Sequence, residues 1–487
     1  MKKTTLALLF LMMVLLMGCA QSEDALKVTA PGSVSPYQVV QVAVEAPGKG
    51  TVTIHVAGAY FSYQDIVTDA AVDGGETVFS YNGLSYNGQP LHRGDYTLTF
   101  VWNGEDGSQA SAQSQLKVLS PLPAVEYALP LTDSLYIGQT DPWYIDLKLS
   151  AKGKIQCDFF SADDLKTPVY SASVNAGDPL KNYRIAWKGT GEKNAALPAG
   201  QYLIRSYAAE NPDYVIENTV SLLEGTLQTL PLTVTESWYP ETYDDDAVVW
   251  AKLMEPVVVV DAAQMSRAKF YEKPDEKSRL VGSIYGTTVA VNVLELNVGK
   301  FAKIGAYCSF DGEYREGYML QKYLKFVYPN PRYGVVLDKN TQTMTVYGNG
   351  KKLGVMKVST GLMTGVNFAA ETRAGVYLTF DRLTDFHQDG MRYDYPIRID
   401  GPHLIHQMGY TYSSSVSANF TVQTPLLGQK ASHGCVRMNS EVTEESGGVN
   451  AYWCWTHFCV RTKFIIIDDT QARQARMAEL KDALRSR

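Results

Sequence analysis

Two stretches near the C-terminal end decide how this chain is read: Leu404-Ile405-His406 and Ser432-His433-Gly434-Cys435-Val436-Arg437-Met438-Asn439. Together they supply one thiol and two imidazoles. A free thiol is mostly protonated at neutral pH, and a nearby imidazole or cation raises its thiolate fraction and makes the sulfur an acyl acceptor. Gly434 permits a tight turn before Cys435, so the amides of Gly434 and Cys435 can point at one spot and stabilise an oxyanion. Arg437 lies two residues past the thiol. In an extended segment it shares a face with Cys435, where it can hold a carboxylate or brace the turn. The residue types leave two other readings open. A lone cysteine is often a buried packing residue. His403, His406, His433 and Cys435 are also the ligand types of a zinc site.

The Ser432–Asn439 stretch resembles the signature of the L,D-transpeptidases (the YkuD family), and Ile405-His406 matches that family's upstream Ile-His. The resemblance continues in family order through Tyr333–Asp338, Thr343–Tyr347, Val358–Gly361, Glu371–Tyr377 and Phe464–Ile467, covering about residues 331–468. Where most members read Thr-Pro-Thr-Gly, this chain has Thr372-Arg373-Ala374-Gly375. The resemblance implies a β-rich catalytic domain acting on peptidoglycan stem peptides through a cysteine thioester, without metal or cofactor, and acylated by carbapenems. It assigns Cys435 as nucleophile and His406 as base. His433 orients the turn or shares the proton work, Ser432 fixes a local hydrogen bond, and Gly434 belongs to the oxyanion turn. One departure is length. Twenty-five residues separate His406 from Ser432, and we read residues 407–431 as an enlarged lid loop.

Working outward, the N-terminus carries Lys2 and Lys3 and then a run of twelve apolar residues, Leu6 to Met17. That is too short to span a bilayer and has the size of a signal-peptide core. Leu16-Met17-Gly18-Cys19 resembles a bacterial lipobox. The expectation is a signal peptide over 1–18, a lipid on Cys19, and a protein tethered to the membrane outside the cytoplasm, facing the cell wall. The 487 residues carry 44 Lys plus Arg against 51 Asp plus Glu, a net charge of −7, which speaks against nucleic acid as a partner. Six cysteines do not make a disulfide scaffold; Cys454 and Cys459 read as buried packing residues.

Most of the chain alternates apolar and polar with period two, as in Val39–Val44, Val52–Val56 and Tyr96–Trp102. Tyr81-Asn-Gly83, Leu91, Gly94, Tyr96 and Leu98 recur as Trp187-Lys-Gly189, Leu197, Gly200, Tyr202 and Ile204, offset by 106 residues throughout. This predicts tandem antiparallel sandwiches over 25–119 and 122–224, similar to the immunoglobulin-like domains of flagellar hook-cap proteins. An acidic linker follows over 225–250. Residues 256–328 resemble a bacterial Src-homology-three-like barrel, and the upstream domains read as spacers or as binders of wall or protein ligands. The catalytic domain spans 331–468. Within it, Asn439 to Trp455 reads as a helix. Residues 470–487 read as a C-terminal helix with Met477, Leu480 and Leu484 on one packing face. The fold class expected is mostly β, with one or two helices in the catalytic domain. The function expected is an L,D-transpeptidase. The alternatives are an L,D-carboxypeptidase, with water as acceptor, and a non-catalytic wall-binding lipoprotein.

Overall fold

The computed structural model describes residues 25–58, 61–84, 90–91, 93–179, 181–225, 232–364, 370–383, 385–413 and 417–485. The lipobox reading lies outside these residues. Among the described residues no helix is long and apolar enough to cross a membrane. The fold is mostly β, and it divides into two compact units, Met1–Leu122 and Pro123–Arg487.

The first unit is organised by one long hairpin, Val40–Gly58 with Phe61–Tyr81. The other edge of Val40–Gly58 is shared between Lys27–Thr29 and Gly94–Gly104. Gln109–Val118 continues the sheet, and the short strand Ser33–Val34 lies parallel to its end. Alternation puts Val42, Val44, Val52, Ile54 and Val56 inward, where they meet Leu98, Phe100, Trp102 and Leu116.

The second unit begins with two facing sheets of five and three strands, drawn from Val125 to Leu223. Trp143, Phe159, Trp187 and Tyr202 fill the space between them, ring against ring. The 106-residue repeat has a local counterpart. Gly83 and Gly189 both adopt positive φ, 69° and 72°, which favours glycine. In each copy a short strand also runs parallel to the last strand.

Val257–Val260 pairs with Leu324–Val327, and five antiparallel strands between Arg267 and Leu320 form the adjoining sheet. Its apolar core is continuous with that of the catalytic region. The expected linker is only partly a connector. Asp246–Met254 is a helix, capped by the Asp245 side chain on Ala247 N, and Leu253 packs against Gly334. The acidic run therefore serves as a helix start; Asp246 also accepts from Lys352 N at 2.9 Å.

The catalytic region is built on an eight-stranded sheet. Its order is Gly375–Leu378, Lys463–Ile467, Tyr333–Asp338, Thr343–Gly348, Lys351–Ser359, Val436–Met438, His403–Gln407 and Ile397–Asp400. The Asn439–Trp455 helix is corrected to Ala451–His457. Gly447 and Gly448 take positive φ and break the path, and Asn450 caps the shorter helix by accepting from Trp453 N. The C-terminal helix, Thr470–Arg485, is anchored by charge, and Met477 and Leu480 of its expected apolar face are half-buried. Leu484 is exposed, whereas Arg473 is buried and pairs with Glu313 and Asp468.

Candidate active site

The strand His403–Gln407 is buried throughout and lies parallel to Val436–Met438, with Ile405 opposite Val436 and His406 opposite Arg437. Parallel strands covered on both faces read as near-continuous apolar runs, so polar side chains within them stand out. His403 and His406 are three residues apart, and the two-residue period sends them to opposite faces. That separation breaks up the four-ligand zinc set. Among the described residues, the three-carboxylate group close enough to share an ion is Glu371, Asp468 and Asp469. Lys339, Lys430 and Arg473 already pair with it. We read it as an ion network that ties the C-terminal helix to the segment before Ser432.

His406 is buried and its Nδ1 lies 2.6 Å from the Gln407 carbonyl. A carbonyl only accepts, so the proton sits on Nδ1 and Nε2 keeps its lone pair. Burial pushes the imidazole down to about 4, partly offset by the Gln407 bond and added to by Arg437. His406 is therefore unprotonated at neutral pH, with its Nε2 lone pair available. The rings of Phe386 and Tyr393 each stand edge-on to it at 5.1 Å, and stack on one another at 4.8 Å.

Cys435 is partly exposed. Desolvation raises its thiol, opposed by a bond with the Leu404 backbone and by the charges of Arg437 and Arg398. Tyr393 joins this set: it interacts electrostatically with Cys435, and the Arg437 guanidinium lies 5.9 Å from its ring. Cys435, His406 and Arg437 are thus gathered around one tyrosine.

The turn before the thiol is fixed from both sides. Ser432 N donates to Thr360 O, and Leu362 N donates to Ser432 O. The Ser432 hydroxyl donates to the Cys435 carbonyl and accepts from Gly434 N. Gly434 has φ +113° and its carbonyl accepts from Thr372 Oγ1 at 2.8 Å. The Gly434 amide, one of the two expected to face an oxyanion, is thereby engaged with Ser432. His433 is exposed, and the turn is oriented by Ser432 and Thr372. Arg437 is buried, and its Nη1 donates to Gln423 Oε1 at 2.9 Å and to Ala431 O at 3.3 Å. It braces residues 423–431 and is not set out on the surface for a carboxylate.

The expected lid carries a short hairpin among its described residues. Thr411–Ser413 pairs with Ser417–Asn419, and its base is tied down by Gln423 on Arg437 and by Gly428 N on Val358 O. Sequence reasoning missed the second cover, the hairpin Asp385–Gln388 with Met391–Asp394, which carries Phe386 and Tyr393. Its signal was present: Asp389-Gly390, both at positive φ, is a two-residue hairpin turn. Thr372, Arg373, Asp400 and Gln423 carried no comparable signal. They meet the site only through tertiary contacts.

The YkuD family, described as the L,D-transpeptidase catalytic domain, matches residues 332–445. No curated protein matches the chain. Similar solved structures include an L,D-transpeptidase from Mycobacterium tuberculosis H37Rv, 18% identical, covering 34% of this chain and 66% of that one, with a TM-score of 0.22. An L,D-transpeptidase from Mycobacterium smegmatis is 11% identical over 55% of this chain and 92% of its own, at a TM-score of 0.23. One from Xylanimonas cellulosilytica DSM 15894 is 20% identical over 28% and 60%, at 0.18. This chain thus spans slightly under two thirds of the first of them. Residues 332–445 carry an L,D-transpeptidase catalytic domain of the YkuD family.

Proposed function

We propose that this protein is an L,D-transpeptidase that cross-links or remodels peptidoglycan through a thioester on Cys435. The observation that carries the reading is the 2.6 Å contact between His406 Nδ1 and the Gln407 carbonyl, which leaves Nε2 as a base beside the nucleophile strand. In the first step the Cys435 thiol gives its proton to His406 Nε2 as the sulfur attacks the carbonyl of the L-centred diamino acid of a tetrapeptide stem. The Cys435 amide stabilises the oxyanion. The C–N bond to the terminal D-alanine breaks, and its amine takes the proton from His406. In the second step an amine of another stem attacks the thioester and gives its proton to His406. The C–S bond breaks and the thiol is restored. Thiol and imidazole suffice for both steps, so no metal or cofactor is required. His433, on the exposed side of the turn, meets the incoming stem.

The reading includes an extracytoplasmic protein anchored by a lipid on Cys19, so that the catalytic domain faces the wall. The upstream β domains act as spacers or bind wall components. Incubating the purified protein with stem tetrapeptides tests the activity. A cross-linked dimer with release of D-alanine is expected. Hydrolysed tripeptide alone would make it a carboxypeptidase, and no product at all would favour the wall-binding alternative.

A further inference from the structure

The mechanism above leaves His403 unused, a buried side chain on the strand of His406 but on its opposite face. Arg373 Nη2 lies 3.2 Å from His403 Nδ1 and 2.5 Å from Asp400 Oδ2, and its Nε donates to the same oxygen at 2.7 Å. Its Nη1 donates to Ser309 O, in the neighbouring barrel-like region, at 3.3 Å. All three residues are buried. A guanidinium only donates, so His403 Nδ1 is the acceptor in its contact with Arg373, and Asp400 Oδ2 lies 3.7 Å from the same nitrogen. The other end of the ring rests on the nucleophile turn: a Cβ added to Gly434 would lie 2.5 Å from His403 Nε2.

Gly434 is therefore held at each of its parts. Its amide donates to Ser432 Oγ, its carbonyl accepts from Thr372 Oγ1, and its Cα faces the His403 ring. Two consecutive residues, Thr372 and Arg373, act on it from two directions, one directly and one through His403. We propose that His403, oriented by Arg373 and Asp400, is a positioning residue for the nucleophile turn, holding Gly434 in its left-handed conformation so that the Cys435 sulfur and amide stay aligned. This rests on the thioester reading above and deepens it. Asp400 balances the guanidinium charge and, with Arg373, fixes the imidazole from the side away from the turn. A shift of about 1 Å in such a turn is enough to slow acyl transfer by an order of magnitude or more.

The test measures the rate at which a carbapenem acylates Cys435 across a pH series, together with the thermal midpoint, in wild type, His403→Leu and His403→Gln. Leucine keeps the bulk and removes the acceptor for Arg373; glutamine keeps an acceptor for it. His403→Leu is expected to slow acylation about tenfold, with an unchanged pH-profile shape. His403→Gln is expected to recover most of the rate. A His403→Leu variant that acylates at the wild-type rate overturns the inference. So does a shift of the pH profile, which would make His403 a proton carrier. So too does an equal loss in both variants with a lowered midpoint, which would make its role purely structural. Absence of any adduct on Cys435 in wild type is a different result: it refutes the thioester reading itself.

Discussion

Lowering the pH separates this site from a thiolate–imidazolium pair. His406 is pushed from its ordinary 6.5 down to about 4 by burial, and the Cys435 thiol is raised by the same cause. In the proposed mechanism the resting pair is therefore a neutral thiol and a neutral imidazole. The acid limb of acylation in the free enzyme follows the fraction of His406 that is unprotonated. At pH 5 an imidazole of ordinary pKa would be only about 3% neutral, whereas one near 4 is about 90% neutral, a difference of about thirtyfold in rate. The sign is fixed by the direction of the shift: a depressed imidazole keeps its base form as pH falls, down to its own folded value. Stopped-flow fluorescence with a carbapenem between pH 4 and 8 reads it directly. We expect a flat profile down to about pH 5 and a fall centred near 4. A fall centred near 6.5 would refute the electrostatic reading. So would a rate that rises toward low pH.

Three further outcomes are expected. Arg473→Met leaves Glu313 without its cation and Glu371 and Asp468 with Lys339 alone and should cost about 1–3 kcal/mol in urea unfolding, while Leu484→Ser, on the exposed side of the same helix, should cost under about 0.5 kcal/mol; equal costs would restore the apolar-face reading. Shortening the hairpin tip at 411–419 should change acceptor use and leave carbapenem acylation intact, whereas Gln423→Ala, which strips a buried partner from Arg437, should slow acylation; loss of both steps on trimming the tip would make it part of the core. Cys19→Ala should leave the protein unprocessed or released from the membrane fraction, and a mutant processed and membrane-bound like wild type would remove the lipid anchor from the account.

What the sequence made legible was mostly local. The strand pattern, the Gly434 turn and the Ile405-His406 pair could be read because each is written in adjacent residues. The two-residue period even separates His403 from His406, although residue types alone grouped them as metal ligands. The rest depends on segments far apart in sequence. Arg373 reaches Asp400 and His403 some thirty residues on, and Gln423 reaches Arg437 across the loop. The C-terminal helix showed an apolar stripe, yet Arg473, a buried cation paired with carboxylates from three segments, anchors it. The helix Asp246–Met254 lay hidden in an acidic run because only nine residues follow its cap. Gly447 and Gly448 stopped the next helix from starting where its polar residues allowed.

The central claim is that Cys435 carries the acyl group. The most direct measurement is peptide mapping of the carbapenem adduct by mass spectrometry, with Cys435→Ser alongside. The account predicts one mass equivalent on the peptide containing Cys435, and loss of both adduct and turnover in Cys435→Ser, because an alkoxide is far harder to form than a thiolate. An adduct on Cys308, Cys454 or Cys459, all buried free thiols, or full turnover in Cys435→Ser, would contradict it.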